Sequence, residues 1–174
     1  MVAKIIPSTS LATGVHECAP QEIIAHKKFS ERITMDQKIK EAIQRGVERE
    51  PFAQIMKMEL VALEEGFSAV EMTFEPETMD NVFSRAHGGA IFSLIDEAFE
   101  TVCQTCGAVT VALNVSVTYV ASPKGRARLR AEAREISSTK QTANYDIRVS
   151  DQDGRLIATC QALAFRTGKP LPFL

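Results

Sequence analysis

The feature that most constrains the fold is an apolar helical segment near the middle of the chain, NVFSRAHGGAIFSLIDEAFETVCQT, residues 81–105. At about 100° per residue, its hydrophobic side chains cover well over half of the helix circumference: Ile91, Phe92, Leu94, Ile95, Ala98, Phe99, Val102 and Cys103. A helix with so wide an apolar surface is stable only when other elements enclose it. Another part of the chain therefore has to cover this helix.

Segments with the two-residue periodicity of β-strands flank this helix on both sides. Before it, Val70, Met72 and Phe74 alternate with polar residues, and a further strand is predicted near residues 56–63, ahead of the turn at 64–66. After it, four strands are predicted, separated by the turn sequences SPKG, SSTK and DQDG. Connections of hairpin length indicate an antiparallel sheet. The predicted fold class is therefore α+β, with the sheet covering the helix.

The chain is long enough for one domain with a substantial core, at 174 residues, 45% apolar, with a net charge of −2. Residues 1–35 lack clean periodicity, and we interpret them as a loosely ordered leader. A short helix is predicted from Asp36 onwards, ending near Pro51. The predicted domain comprises residues 36–174.

Several classes of protein are disfavoured by the composition. No apolar run has the length of a signal peptide or a membrane span, and the four cysteines are too scattered for a disulfide scaffold. The near-neutral charge gives no argument for nucleic-acid binding. The CQTC sequence at 103–106 has the spacing of half a zinc site, but no second pair complements it. We expect a cytoplasmic protein with no metal, no membrane association and no nucleic-acid partner.

Two features of the central helix indicate chemistry. Asp96 lies at the edge of a narrow polar stripe formed by Ser93, Glu97, Glu100 and Gln104, where partial desolvation suits a general base or nucleophile. Gly88 and Gly89 open the helix, and their N–H groups could polarise a carbonyl oxygen as an oxyanion hole. Both features also have structural explanations, namely a solvated helix face and close packing between helix and sheet.

Residues 51–166 resemble the hotdog-fold acyl-CoA thioesterases of the phenylacetate-degradation (PaaI-like) group. The matching segments are PFAQIMKMELVALEEGFSAVEM, HGGAIFSLIDEAFE and QTANYDI. The combination of spacings is specific: Asn81 lies six residues before His87, the glycine pair follows, and Asp96 lies nine residues after the histidine.

The resemblance implies a hotdog fold, in which a curved antiparallel sheet of about five to six strands wraps a long central helix. It also implies a homodimer joined edge to edge, assembling further as a dimer of dimers, with active sites at the subunit interface. In these sites Asp96 would activate water or attack the thioester, and Gly88 N–H would polarise its carbonyl. His87 would orient the substrate or stabilise the thiolate, and Asn81 would hold the carbonyl or the water. Asp96 and Gly88 of one site would come from opposite subunits.

One departure from the family pattern concerns the residue that positions the water. Some relatives have a hydroxyl early in the strand after the helix, where this chain has Ala112, with Asn114 and Ser116 expected further along the same side. Glu97 is an alternative carboxylate, because other hotdog branches use glutamate. The helical wheel puts Glu97 well inside the polar stripe, so Asp96 is preferred.

The substrate implied by the resemblance is an acyl-CoA, and no cofactor is expected apart from the coenzyme A that it carries. Between Lys124 and Arg148 the sequence has seven basic residues and three acidic ones. This excess of positive charge could attract phosphates or simply keep a strand face soluble. Lys124 and Arg126 are the candidates for phosphate contact. Gly89, Phe83 and Asn114 are further candidates for substrate binding.

Two other functions compete with hydrolysis. The first is a non-catalytic acyl-CoA-binding or sensor domain, which would not need Asp96. The second is an enoyl-CoA hydratase or dehydratase, in which His87 and Asp96 would be the catalytic pair. Release of free thiol from acyl-CoA distinguishes the thioesterase from both.

Overall fold

The computed structural model describes residues 35–174. Its elements, in chain order, are α1 (Gln37–Arg49), α2 (Pro51–Met56), β1 (Glu59–Glu64), β2 (Phe67–Phe74), α3 (Pro76–Met79), α4 (Gly88–Gln104), β3 (Ala108–Tyr119), β4 (Ala127–Ser138), β5 (Thr142–Asp151) and β6 (Leu156–Pro170). The predicted leader lies outside the described residues apart from Met35, so the domain boundary at residue 36 stays a prediction.

The six strands form a single antiparallel sheet in the order β1-β2-β4-β5-β6-β3. The helix α4 contacts every strand of this sheet. The predicted α+β architecture is therefore confirmed, with six strands. Because β3 comes last in the order, it leaves one long edge of the sheet without a neighbour among the described residues.

Small side chains on the inner face of the sheet allow α4 to pack closely. Six alanines of β4, β5 and β6 are almost fully buried there: Ala131, Ala133, Ala143, Ala158, Ala162 and Ala164. Phe99 of α4 meets Tyr145 of β5 edge to face, with ring centroids 5.3 Å apart. A buried hydrogen bond of 2.6 Å joins the hydroxyls of Ser68 and Thr101, which fixes α4 to β2. These contacts fix the position of α4 against the sheet.

The segment around Pro51 differs from the prediction of a strand beginning near Met56. Proline at the first helical position fits the helix φ and has no N–H to satisfy, and residues Pro51–Met56 accordingly form α2. Lys57 then takes a left-handed conformation, with φ of 53°, and ends the helix. The strand β1 starts only at Glu59. By contrast, the helix predicted from Asp36 is confirmed, and the Asp36 carboxylate accepts a hydrogen bond from the Lys38 N–H.

Candidate active site

The N-terminus of α4 presents one backbone donor that stays available. His87 caps the helix, since its Nδ1 accepts a 2.9 Å hydrogen bond from the Gly89 N–H. In the neutral imidazole the proton then resides on Nε2, which is left as a donor. The Gly88 N–H makes no hydrogen bond with any residue that the structure describes. Gly88 N–H and His87 Nε2–H are therefore the groups at this helix end that can donate to a ligand.

Tyr119 braces the same helix end, a contact that sequence reasoning missed. Its hydroxyl donates a 3.1 Å hydrogen bond to the Gly88 carbonyl. A Cβ atom at Gly88 would lie 3.2 Å from the ring and hydroxyl of Tyr119, so the glycine permits this close approach. Tyr119 is the last residue of β3, and nothing in the sequence indicates that this end of the strand contacts Gly88.

Asn81 organises the loop that leads into α4. Its side-chain oxygen accepts hydrogen bonds from the N–H groups of Phe83 (2.9 Å) and Arg85 (3.3 Å). The His87 N–H donates to the carbonyl of Met79, which fixes the far end of the same loop. The structure thus brings Asn81, His87 and the glycines into one unit, in which Asn81 sets the path of the backbone.

Asp96 lines a separate cavity of about 410 Å³ on the flank of α4. The other walls come from the end of α4, the start of β3 and the C-terminal segment, including Phe99, Glu100, Thr110 and Phe173. Burial by these neighbours raises the pKa of the Asp96 carboxyl above its ordinary value. Asp96 lies eight residues beyond Gly88, or about 12 Å along the helix at 1.5 Å per residue. One bound thioester cannot contact both groups of the same chain.

Glu97 does not lie on an accessible polar stripe, contrary to the helical-wheel prediction. Its side chain is only 4% exposed, and its Oε1 has no hydrogen-bond partner among the described residues. Glu50 lies close to the Glu97 carboxyl, and its neighbours Val47 and Ala53 belong to the same core cluster as α4. Burial, followed by the repulsion of Glu50, Glu100 and Asp96, raises the pKa of Glu97 to about 8.

A β-bulge overturns the expectation that Ala112 shares a side of β3 with Asn114 and Ser116. Ala112 pairs with the inward-facing Ala164, whereas Asn114 pairs with Leu163, because the register shifts between Ala112 and Asn114. The extra residue turns Asn114 and Ser116 to the outer face of the sheet. The hydroxyl that does line the Asp96 cavity is that of Thr110.

Thr110 is a second residue that sequence reasoning missed. Its hydroxyl donates to the carbonyl of Ala108, at 3.1 Å, which leaves the oxygen lone pairs as acceptors. Thr110 lies two residues before Ala112 and therefore on the same side of the strand. This spacing is the only feature of the sequence that could have suggested Thr110 as a site residue.

The remaining candidates for substrate binding are dispersed. Phe83 is exposed on the loop before α4. Lys124 lines a second cavity beside that loop. Arg126 instead forms an ion pair with Glu75, at 3.0 Å to both carboxylate oxygens. The excess positive charge counted along this segment is offset because β1 and β2 supply carboxylates to the arginines of β4.

Residues 35–174 contain neither a cluster of metal-ligating side chains nor a helix of membrane-spanning length. No group of three or more histidine, cysteine, aspartate or glutamate side chains there is arranged to hold a metal ion. No helix in that range is long and apolar enough to cross a bilayer.

Comparisons with known proteins agree with this architecture. The sequence profile of the thioesterase superfamily matches residues 83–158. A "Putative esterase" of Archaeoglobus fulgidus is 31% identical over 119 residues, covering 68% of this chain and 77% of the relative. The acyl-coenzyme A thioesterase PaaI of Escherichia coli is 29% identical over 121 residues, covering 70% of this chain and 86% of the relative.

Solved structures give the same result. The structure of Escherichia coli PaaI matches with a TM-score of 0.73 at 27% identity, covering 78% of this chain and 98% of that one. A Streptococcus mutans protein bound to acetyl-CoA matches with a TM-score of 0.61 at 28% identity, covering 66% of this chain and 91% of that one.

The long helix on a six-stranded antiparallel sheet is the hotdog fold of thioesterases. The chain belongs to the thioesterase superfamily. The predicted family, fold and enzyme class are therefore confirmed. The roles of individual residues stay predictions.

Proposed function

We propose that the protein hydrolyses acyl-CoA thioesters at sites shared between two subunits. The observation that carries this proposal is the placement of Asp96 in an open cavity about 12 Å along α4 from the unpaired Gly88 N–H. A second copy of the chain can bring its own Gly88 to that cavity. The names of the relatives support the choice of substrate, since one is an acyl-coenzyme A thioesterase and another binds acetyl-CoA.

The edge strand β3 supports the assembly that this site requires. Its twelve residues have no strand neighbour on the outer side among the described residues, and it exposes Val111, Leu113 and Tyr119. An open edge of that length favours pairing with another strand. Two chains pairing through β3 bury these apolar side chains in a symmetric dimer. A further dimer of dimers and a cytoplasmic location remain part of the proposal.

In the proposed reaction, the thioester carbonyl accepts hydrogen bonds from Gly88 N–H and from His87 Nε2–H. Asp96 of the other subunit removes a proton from a water that also donates to the Thr110 hydroxyl oxygen. The water oxygen bonds to the carbonyl carbon, and negative charge develops on the carbonyl oxygen beside the helix N-terminus. The tetrahedral intermediate then collapses, the carbon–sulfur bond breaks, and the thiolate of coenzyme A leaves and takes up a proton.

Asp96 suits the role of base better than Glu97 does. Asp96 lines the cavity, where a water molecule can reach it, whereas Glu97 is buried and its pKa is raised to about 8. A protonated, enclosed carboxyl cannot accept a proton from water. The geometry of the cavity therefore favours Asp96 over its neighbour.

The test is thiol release from a panel of acyl-CoAs by the wild type, Asp96→Asn and the control Glu100→Gln. Glu100 lies on the same helix and lines the same cavity, so its variant removes a nearby carboxylate without removing the proposed base. We expect Asp96→Asn to lose about 10²- to 10⁴-fold in kcat and Glu100→Gln to stay active. A wild type that binds acyl-CoA without releasing thiol would instead support a sensor domain. Loss of enoyl absorbance without thiol would indicate a hydratase.

A further inference from the structure

The peptide group that joins Gly88 to Gly89, at the start of α4, makes a side-chain hydrogen bond through each of its two polar groups. Its carbonyl, on Gly88, accepts a 3.1 Å hydrogen bond from the Tyr119 hydroxyl. Its N–H, on Gly89, donates a 2.9 Å hydrogen bond to Nδ1 of His87. A continuous series of hydrogen bonds therefore runs from the phenol hydroxyl through one peptide group to the imidazole.

Tyr119 supplies a restraint that this peptide group otherwise lacks. Both of its residues are glycines, which have more backbone freedom than any other residue. It also lies in the first turn of α4, where the N–H groups have no partner within the helix. The Tyr119 ring packs against Gly88, since a Cβ atom there would lie 3.2 Å from Cζ and from the hydroxyl oxygen. Packing and the hydroxyl together fix the orientation of the peptide group.

The imidazole of His87 lies against the same backbone. A Cβ atom at Gly89 would lie 3.0 Å from Nδ1 and 3.4 Å from Cε1 of this ring. Nδ1 can accept the bond from the Gly89 N–H only when it carries no proton, so the proton of the neutral ring lies on Nε2. A peptide group held in this orientation therefore selects one of the two tautomers of His87.

We propose that Tyr119 is a positioning residue, which holds His87 in the tautomer that carries the proton on Nε2. The inference rests on the proposed function, in which His87 Nε2–H donates to the thioester carbonyl. In the other tautomer Nε2 is an acceptor and cannot donate to that oxygen. The hydrogen bond that the Gly88 carbonyl accepts also polarises the Gly89 N–H of the same peptide group, which strengthens its bond to Nδ1.

The first measurement is the tautomer of His87, read from the ¹⁵N chemical shifts of both ring nitrogens in histidine-labelled protein at alkaline pH, where imidazole is neutral. The chain has three histidines, and His87→Asn identifies the signals of residue 87. The test variant is Tyr119→Phe, which keeps the ring and removes the hydroxyl. We expect the Nε2–H tautomer to dominate in the wild type, and the ratio of Nδ1–H to Nε2–H to rise about two- to tenfold in Tyr119→Phe.

Ser93→Ala is the matched control for the tautomer measurement. The Ser93 hydroxyl donates at 2.8 Å to the Gly89 carbonyl. This is also a bond from a hydroxyl to a carbonyl in the first turn, but it acts on the next peptide group, which makes no bond to the imidazole. Ser93→Ala should therefore keep the wild-type tautomer ratio.

The second measurement is thiol release from acyl-CoA, with kcat and KM determined separately. Because negative charge develops on the carbonyl oxygen in the transition state, an oriented donor affects kcat more than KM. We expect Tyr119→Phe to lower kcat about two- to tenfold and to leave KM near the wild-type value. His87→Asn retains a helix cap but has no imidazole. In that background Tyr119→Phe should lower kcat no further.

An unchanged tautomer ratio in Tyr119→Phe would overturn the inference. A fall in kcat that is equally large with and without the imidazole would also overturn it, because Tyr119 would then act independently of His87. If the wild type released no thiol but Tyr119→Phe still changed the tautomer ratio, the hydrolytic proposal would fail and the effect of Tyr119 on His87 would stand.

Discussion

Replacement of Glu97 by glutamine should make the protein more stable at neutral and alkaline pH. The Glu97 side chain is almost fully buried, and Oε1 has no described hydrogen-bond partner. Burial and the nearby carboxylates of Glu50, Glu100 and Asp96 raise its pKa from 4.5 to about 8. Glutamine keeps the shape of the protonated acid but has no proton to lose, so Glu97→Gln removes the ionisation and preserves the packing.

The magnitude follows from linkage between protonation and folding. Because the pKa is higher in the folded protein, the folded state binds the proton more tightly than the unfolded chain does. The stabilisation from this protonation is complete below pH 4.5 and is lost as the pH rises to about 8. One pKa unit corresponds to about 1.4 kcal/mol, so the wild type should lose about 3 to 4 kcal/mol relative to Glu97→Gln between pH 5 and pH 8.

Urea unfolding at several pH values between 5 and 8, at one protein concentration, measures this difference. The wild-type free energy of unfolding should fall towards pH 8, while that of Glu97→Gln should fall much less. Glu48→Gln, at an exposed position of α1, is the control and should follow the wild type. If the wild type and Glu97→Gln kept a constant difference across this range, the argument that Glu97 is folded in its protonated form would be refuted.

Three further predictions concern the active site. Gly88→Pro should lose about 10²-fold or more in kcat, whereas Gly88→Ala should lose much less. Both variants place a Cβ near Tyr119, but only proline lacks the N–H. An equal loss of kcat in the two variants would dismiss the donor role of the Gly88 N–H. Thr110→Val should lower kcat about tenfold while Thr110→Ser retains it, and an unaffected valine variant would exclude the hydroxyl from water positioning. Because the pKa of Asp96 is raised, kcat should fall as the pH is lowered and this base is protonated, with a midpoint pH above the ordinary pKa of aspartate. A kcat that did not change with pH in this acidic range would argue against an aspartate base.

The sequence predicted the architecture because periodicity is a local signal. The wide apolar surface of α4 and the alternation in the later strands require an antiparallel sheet against a helix, and the structure has this arrangement. Asp36 and the pair Gly88 and Gly89 likewise indicated where α1 and α4 begin, through local backbone chemistry.

Contacts between distant segments were less accessible from the sequence. A helical wheel gives the direction of Glu97, but not the fact that the chain around Glu50 covers it. The bulge at β3 changes the face of Asn114, although no local residue pattern announces it. Tyr119 reaches Gly88 across 31 positions, and the partner of Arg126 lies 51 positions away. The contacts of Tyr119 and Arg126 depend on strand register, which is determined by the whole sheet.

The most direct test of the shared site is complementation between two inactive variants. Asp96→Asn and Gly88→Pro chains, each inactive alone, are unfolded together, refolded as a 1:1 mixture and assayed for thiol release from acyl-CoA. If Asp96 and Gly88 of one site come from different subunits, half of the dimers are mixed and each contains one intact site. Activity should then recover to about a quarter of the wild-type value. Recovery of the dimer without activity would contradict the shared site.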